Sequence, residues 1–431
     1  MIEWLGLESP WWAWTLMAIG GVALVSVISA LFLPDWEEPD YTLGVDAEPG
    51  SDAFVAAAGA FLNNPVYRGG EIELLQNGDA FYPAMLGAIR AARETVNFEV
   101  YIFEPDEIGR QFMDALIERA RARVEVRLLL DWFGSLAFKA AHRTELARAG
   151  VRVELFRPFN LRNFVRMYRR THRRAIVVDG RVAFTGGAAV SKKWIGDVRT
   201  PHESRDSMTR VTGPLAGGIQ SAFAENWVYC TGEVLAGDRF FPSMAPGPGP
   251  CGVSVVSSPS EAQQPIRHLF WLSFANARRR LWLCNSYFIP DPRLRKAVID
   301  RARRGLDVRI LVPGNHTDAV PVQMAGRSFY EELLAAGVRI FEYQPAMMHA
   351  KTLVVDDRWS VVGSANLDER SMELDAENVV GIADEGFARA VAEGLEADFA
   401  RSREVKLEEW RRRPLWQRAL EALAKILTEQ Y

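Results

Sequence analysis

Two short stretches place a histidine beside a fixed cation. In THRRAIVVDG these are His172 and Arg174, with Asp179 seven residues after the histidine. In MHAKTLVVDD they are His349 and Lys351, with Asp356 at the same spacing. Both stretches are apolar enough to be strands, where residues i and i+2 share a face, so each imidazole emerges beside its cation. That suits a phosphodiester: the cation neutralises the non-bridging oxygens while an imidazole attacks phosphorus. Two such units predict one shared site. One histidine attacks and becomes a phosphohistidine; the other protonates the leaving alkoxide, then activates the incoming hydroxyl. The ordinary histidine pKa of about 6.5 allows that division near neutral pH. The seven-residue spacing is odd, so the aspartates face away and read as supports for the strand end and neighbouring loops. No metal or other cofactor is required, because the two cations supply the charge.

A single histidine near a basic residue carries little information, and His142, His202, His268 and His316 lack this context. Recurrence carries the argument, and it extends to the surrounding elements. VEVRLLLD (124–131) matches LDVRILVP (306–313), VNFEVYIF (96–103) matches LWLCNSYFI (281–289), and ELARAGVRVELFRP (145–158) matches ELLAAGVRIFEYQP (332–345). A steady offset with small slips is the signature of a duplicated unit. Apolar strands alternating with helices predict α/β layers with much parallel sheet. The predicted organisation is a tail (1–9), an anchor (10–33), a linker (34–66), a first domain (67–237), a Pro/Gly-rich joint (238–262), a second domain (263–402) and a C-terminal amphipathic helix (403–431).

The 431 residues carry a formal net charge of −4, which argues against a chain-wide nucleic-acid binder. The three cysteines, Cys230, Cys251 and Cys284, show no CxxC spacing, so neither a zinc site nor a disulfide framework follows. Residues 10–33, PWWAWTLMAIGGVALVSVISALFL, contain no charged residue. As a helix they would be roughly 36 Å long, enough to span a bilayer with some tilt. Trp11, Trp12, Trp14 and Trp36 flank the run as an aromatic belt would. The reading is a retained transmembrane helix, with acidic flanks that leave its orientation open. The arginine-rich stretch 161–174 reads as a basic surface for anionic head groups. The stripe Trp410, Leu415, Trp416, Leu420, Leu423, Ile426 and Leu427 reads equally as a packed helix or an interfacial one.

Downstream of the second histidine runs VVGSANLDERSMELDAENVV, where Ser364 and Asn366 offer neutral contacts to a phosphate and Glu377 can hold an imidazole N–H. Asp206, in HESRDS, is the acidic counterpart in the first half. Together with YFIP and the two HxK/RxxxxD motifs, these residues make the chain similar, over roughly residues 70–410, to the phospholipase D superfamily and within it to bacterial cardiolipin synthases. The resemblance implies a pair of similar α/β/α domains with one active site at their interface. It implies a catalytic set of His172, Arg174, Asp179, His349, Lys351 and Asp356, with His172 the nucleophile and His349 the general acid and base. Ser364, Asn366, Glu377 and Asp206 would contact substrate. Three positions depart from the family pattern. Arg174 stands where Lys is usual, Ala189 where Asn is common, and Asp375 where cardiolipin synthases often have Asn.

The implied activity is phosphatidyl transfer, from a donor such as phosphatidylglycerol to the hydroxyl of a second phospholipid. The implied place is a bacterial inner membrane, with phospholipids and the membrane as partners, no nucleic acid, and no nucleotide cofactor. A phospholipase D hydrolase or another phosphodiesterase, including a nuclease, would use the same residues. An inactive membrane scaffold would use none of them.

Overall fold

The apolar runs that repeat in the sequence become the inner strands of two sheets. A computed structural model describes residues 20–21, 40–44, 46–160, 167–258 and 264–426. In chain order the strands are β1 (Val66–Arg68), β2 (Ile72–Gln76), β3 (Thr95–Val100), β4 (Glu125–Asp131), β5 (Arg152–Phe156), β6 (Ala175–Val178), β7 (Val182–Gly186) and β8 (Ser207–Thr212). They continue with β9 (Cys251–Ser257), β10 (Arg280–Cys284), β11 (Asp307–Pro313), β12 (Arg339–Tyr343), β13 (Thr352–Val355), β14 (Trp359–Gly363), β15 (Glu377–Ala383) and β16 (Ser402–Val405). One sheet runs β2-β8-β7-β6-β3-β4-β5; the other runs β1-β9-β15-β14-β13-β10-β11-β12-β16. Apart from the edge strands β1 and β16, the two orders agree strand for strand. In each, three consecutive strands are parallel (β3, β4, β5 and β10, β11, β12), and the histidine-bearing stretch leads into the antiparallel strand beside them. The duplication in the sequence is a duplication of topology.

The helices that complete the packing are α1 (Asp52–Phe61), α2 (Gly78–Ala91), α3 (Glu107–Arg121), α4 (Leu215–Thr231), α5 (Pro265–Asn276), α6 (Pro292–Arg303), α7 (Glu385–Ala400) and α8 (Leu415–Ile426). Strand residues alternate between the faces of a sheet, and the first sheet uses this fully. Phe98, Leu128, Leu130, Ile176 and Val178 point outward, against Phe81 and Met85 of α2 and Phe112 and Leu116 of α3. Leu129, Ala175 and Val177 point inward, into a core with Ile219, Phe223 and Trp227 of α4. That inner core also takes Trp282, Leu311, Val354 and Val380 from the second sheet and Phe387, Val391 and Phe399 from α7. α5 and α6 cover the second sheet's outer face. Central strands buried on both faces explain the near-continuous apolar runs.

Because the halves share that inner core, Val45–Tyr431 forms one compact unit, while Met1–Gly44 is assigned to another. In the latter, Gly20 and Gly21 are helical and residues 40–44 form no regular element. The expected anchor at 10–33 lies, those two glycines apart, outside the described residues. Among the described residues no helix is long and apolar enough to cross a membrane.

Three segments differ from the expected organisation. The linker 34–66 contains α1, capped by Ser51, whose Oγ accepts the Phe54 N–H; buried Phe54 meets Trp359 edge-on at 5.0 Å. The joint 238–262 contains β9, whose apolar CGVSVVS pairs with β1 and β15 inside the second sheet. The stretch 403–431 opens with the end of β16, paired to β12, before α8 begins. Its Trp410 is buried under the Arg413 guanidinium, whereas Trp416 and Leu420 are exposed. All three cysteines are free thiols.

Candidate active site

The two motif aspartates do a structural task. Asp179–Gly180 joins β6 to β7, and Asp356–Asp357 joins β13 to β14. All four have positive φ (52, 63, 53 and 57°), as the two central residues of a type I′ hairpin turn require. Aspartate tolerates that conformation and can accept hydrogen bonds there. Asp179 accepts the backbone N–H groups of Arg93, Glu94 and Thr95 at 2.9, 2.8 and 2.8 Å. Asp356 accepts those of Arg278, Arg279 and Arg280 at 2.9, 2.8 and 2.9 Å. Each carboxylate fastens the entry to a parallel strand, at the far end of the hairpin from the histidine. The motif residues that gather into one cluster are His172, Arg174, His349 and Lys351; Asp179 and Asp356 support it from outside.

The cluster is built across the halves. His172 donates its backbone N–H to Ala376 O (2.8 Å), and Ala376 returns one to Arg170 O (2.9 Å). His349 donates to Arg205 O (2.8 Å), and Arg205 to Met347 O (2.9 Å). Each histidine segment is thereby laid against the segment of the other half that ends in an acidic residue. His349 Nδ1 lies 2.7 Å from Asp206 Oδ2, and His172 Nδ1 lies 3.4 Å from Glu377 Oε1. The sheet registers make those acids equivalent: Met208 pairs with Gly186 as Val379 pairs with Gly363. Every imidazole is therefore oriented by the opposite half's carboxylate.

The cations follow the same symmetry. Lys351 Nζ donates to His349 O at 2.5 Å and to Ser286 Oγ at 2.8 Å. Arg174 Nη1 donates to His172 O, and its backbone N–H to Asn378 Oδ1 at 3.0 Å. Glu377 is held by Ser364 Oγ and by Ser371 Oγ (2.9 Å). Ser364, expected beside the phosphate, is fully buried and serves Glu377. Asn366 Oδ1 is buried without a hydrogen-bond partner. At the position matching Ser364 the first half has Gly187, where a Cβ would come within 2.3 Å of Asp206 Oδ1. The shorter Asp206 fills that space and takes its hydrogen bonds from Trp194 Nε1 and the Ser207 N–H, both at 2.8 Å. Ala189, matching Asn366, is buried in the outer core. Asp375 accepts the Arg170 N–H (2.8 Å) and Arg370 Nε (3.0 Å), and lies 3.9 Å from His172 Nε2.

Three contributors escaped the motif reading. The Tyr101 ring lies 4.1 Å from the His172 ring, Trp194 meets the His349 ring edge-on at 5.3 Å, and Ser286 receives Lys351. A signal existed: Tyr101 and Ser286 occupy matching places in VNFEVYIF and LWLCNSYFI, and Trp194 ends FTGGAAVSKKW. The arginine-rich stretch also reads differently. Arg170 pairs with buried Asp131 at 2.9 Å. Arg173 reaches Glu225 and the Ser257 carbonyl at 2.9 and 2.8 Å. With Arg174 these side chains are buried, held by backbone and carboxylate oxygens; 161–166 lie outside the described residues.

Burial sets the protonation of the cluster. It pushes His172 down to about 3, helped by the Arg174 cation and opposed by Asp375. Burial and the adjacent Lys351 also lower His349, against Asp206. Burial lowers Lys351 to about 8. Burial raises Glu377 to about 7 and Asp375 to about 6. Asp206 is the exception: against burial, His349 and Lys351 hold its carboxyl below the ordinary range. The unliganded site thus contains neutral imidazoles, an ionised Asp206 and two acids, Asp375 and Glu377, raised toward neutrality. His172 opens onto a cavity of about 510 Å³ lined also by Tyr101, Tyr287, Asn366, Arg370 and Asp375. A neutral imidazole, buried cations and an open cavity are together suited to displacement at an anionic phosphorus.

Residues 85–205 and 273–402 match the family described as cardiolipin synthase, PLD-like domain. A cardiolipin synthase A of Pseudomonas fluorescens is 35% identical over 80% of this chain and 72% of its own. A cardiolipin synthase 1 of Bacillus anthracis is 32% identical over 83% of this chain and 72% of its own. Among solved structures, a phosphatidylserine synthase of Haemophilus influenzae superposes with a TM-score of 0.66 at 16% identity, covering 86% of this chain and 97% of its own, which is a likeness of fold.

Proposed function

We propose, for a chain that belongs to the cardiolipin synthase family with its phospholipase D-like domain, that it is a phosphatidyltransferase joining phosphatidylglycerol to a second phospholipid. The observation that carries this reading is the crossed pairing: two histidines, one from each half, each oriented by the other half's acid beside a buried cation. His172 Nδ1 faces Glu377, which leaves Nε2 to attack phosphorus. The bond from phosphorus to the departing glycerol oxygen breaks, and His349 delivers the proton to that oxygen. The acceptor hydroxyl then gives its proton to His349 and displaces His172 Nε2. One phosphodiester is exchanged for another, so no nucleotide is consumed.

The protonation pattern supports this division of labour. His172 is neutral, as a nucleophile must be. His349 is depressed by burial and Lys351, and a bound phosphodiester anion offsets that repulsion, so His349 gains its proton when substrate arrives. Ionised Asp206 then stabilises the imidazolium. We also read residues 10–33 as a membrane anchor that keeps the enzyme beside bilayer substrates at high effective concentration. The test is mass spectrometry of lipids after purified protein meets phosphatidylglycerol in mixed micelles, with EDTA and without ATP, beside His172→Ala. Cardiolipin and glycerol, absent with the variant, are expected. Phosphatidic acid alone would make the protein a hydrolase, and no product from folded protein would refute the assignment.

A further inference from the structure

Large apolar side chains are exposed around one opening. Phe133, Leu136, Phe159 and Tyr168 are 56, 47, 53 and 45% exposed. Phe133 and Tyr168 line the same cavity as His172. Leu136 lies in the same loop as Phe133, between β4 and the short helix Ala140–Arg148, and Phe159 follows β5 and meets Trp132, the neighbour of Phe133, at 6.1 Å. The four therefore sit on the loops that follow two adjacent parallel strands. The charged side chains of these loop segments have one sign. Lys139 Nζ donates to Leu136 O at 2.8 Å, and the Arg169 guanidinium lies over the Tyr168 ring at 5.7 Å. The described segments 132–139, 157–160 and 167–170 contain no Asp or Glu.

Single exposed apolar residues are ordinary, but several large ones gathered on adjacent loops beside a cavity mouth mark an interaction surface. Aromatic and aliphatic side chains whose own segments carry only basic charges complement a surface that is apolar in depth and anionic at its face; the exposed acid that lines the cavity, Asp318, accepts the Tyr287 O–H at 2.8 Å. That is the make-up of a bilayer containing acidic phospholipid. We propose that Phe133, Leu136, Phe159 and Tyr168 form a docking surface for an anionic bilayer, which seats the mouth of the His172 cavity at head-group level. A phospholipid head group then enters the cavity while its acyl chains stay in the bilayer. The surface is separate from the anchor at 10–33: an anchor fixes the distance to the membrane, and the rim fixes the orientation. The inference rests on the reading of the substrate as a membrane phospholipid.

The test uses the full chain and the paired substitution Leu136→Ser with Phe159→Ser, which leaves the cavity lining intact. Turnover is compared on vesicles of long-chain phosphatidylglycerol and on short-chain phosphatidylglycerol dispersed below its micelle concentration. Loss of two interfacial anchors is expected to lower vesicle turnover by roughly thirtyfold, with turnover of the dispersed lipid changed less than about twofold. Equal losses on both substrates, or none on vesicles, overturn the proposal. If wild-type protein turns over neither lipid, the assigned reaction has failed, and amide hydrogen exchange decides the docking alone. Protection of 132–139 and 157–160 by phosphatidylglycerol vesicles, weaker with phosphatidylcholine vesicles and absent in the variant, supports it. No protection in wild type overturns it.

Discussion

The crossed pairing makes a demanding prediction at Asp206. In Asp206→Asn the carboxylate 2.7 Å from His349 Nδ1 becomes a neutral amide, while the Trp194 and Ser207 donors remain. Only one amide oxygen is left to accept what two carboxylate oxygens accepted. Breaking a buried charge-assisted hydrogen bond is expected to cost about 2–4 kcal/mol of stability. The pKa of Asp206 lies below its ordinary value, so its contribution is present above the unfolded value of about 4 and is lost as pH falls through the folded one. The deficit of the variant should therefore be full at pH 7 and shrink toward strong acid. In catalysis His349 loses the charge that supports its imidazolium, and general acid–base steps are worth about 10²–10⁴-fold. We expect phosphatidylglycerol turnover to fall by about 10³-fold. The diagnostic assay replaces glycerol with nitrophenol in the donor lipid, because nitrophenolate leaves without a proton. The pre-steady-state burst of nitrophenolate should then fall by less than about tenfold, while steady turnover, which still needs a base for the acceptor, stays low. A burst reduced as severely as phosphatidylglycerol turnover would refute the role given to His349 and Asp206.

Other consequences follow from the same geometry. Glu377 is raised to about 7, so its folded state favours the proton; the stabilisation is complete below about 4.5 and lost as pH rises through 7. Glu377→Gln should accordingly melt higher than wild type at pH 8, by up to about 3 kcal/mol less any misfit of the amide with Ser364 and Ser371, while losing activity. Calorimetry at pH 5 and pH 8 checks this, and a larger gain at pH 5 would contradict it. Asp356→Ala strands three backbone N–H groups and puts alanine at φ 53°, so urea denaturation should show a loss of about 3 kcal/mol or more, with the specific activity of the folded fraction largely retained. Arg174→Lys should keep activity within about tenfold, because Lys351 makes to the His349 carbonyl the contact that Arg174 makes to that of His172; Arg174→Ala should lose about 10³-fold in kcat/KM.

Much of this was legible in the chain because it is local or repeated. The near-continuous apolar runs, repeated with the helices between them, pointed to the α/β duplication, and the recurring His-x-basic pairs named the four side chains that gather into one cluster, His172, Arg174, His349 and Lys351. The odd spacing of Asp179 and Asp356 was enough to turn them away from the histidines, and the turn geometry supplies the reason. What the sequence did not disclose depends on contacts between distant segments. No local pattern says that Asp206 serves His349 rather than His172, since that follows from backbone pairing between residues over 140 apart. Burial of Arg170, Arg173 and Arg174 was invisible for the same reason: an arginine run looks solvated until its partners are placed. β9 was hidden behind a Pro/Gly-rich stretch that ends just before it, and α1 within a segment whose acidic start suggested a linker throughout.

The central claim is that His172 is the residue that carries the phosphatidyl group, in a site completed by the other half. The most direct measurement is peptide mapping by mass spectrometry after the His349→Ala variant meets the nitrophenyl donor and is quenched. The covalent adduct is expected on the peptide bearing His172, at close to one per chain, and absent when His172→Ala is added. An adduct elsewhere, or one that survives loss of His172, would contradict the account.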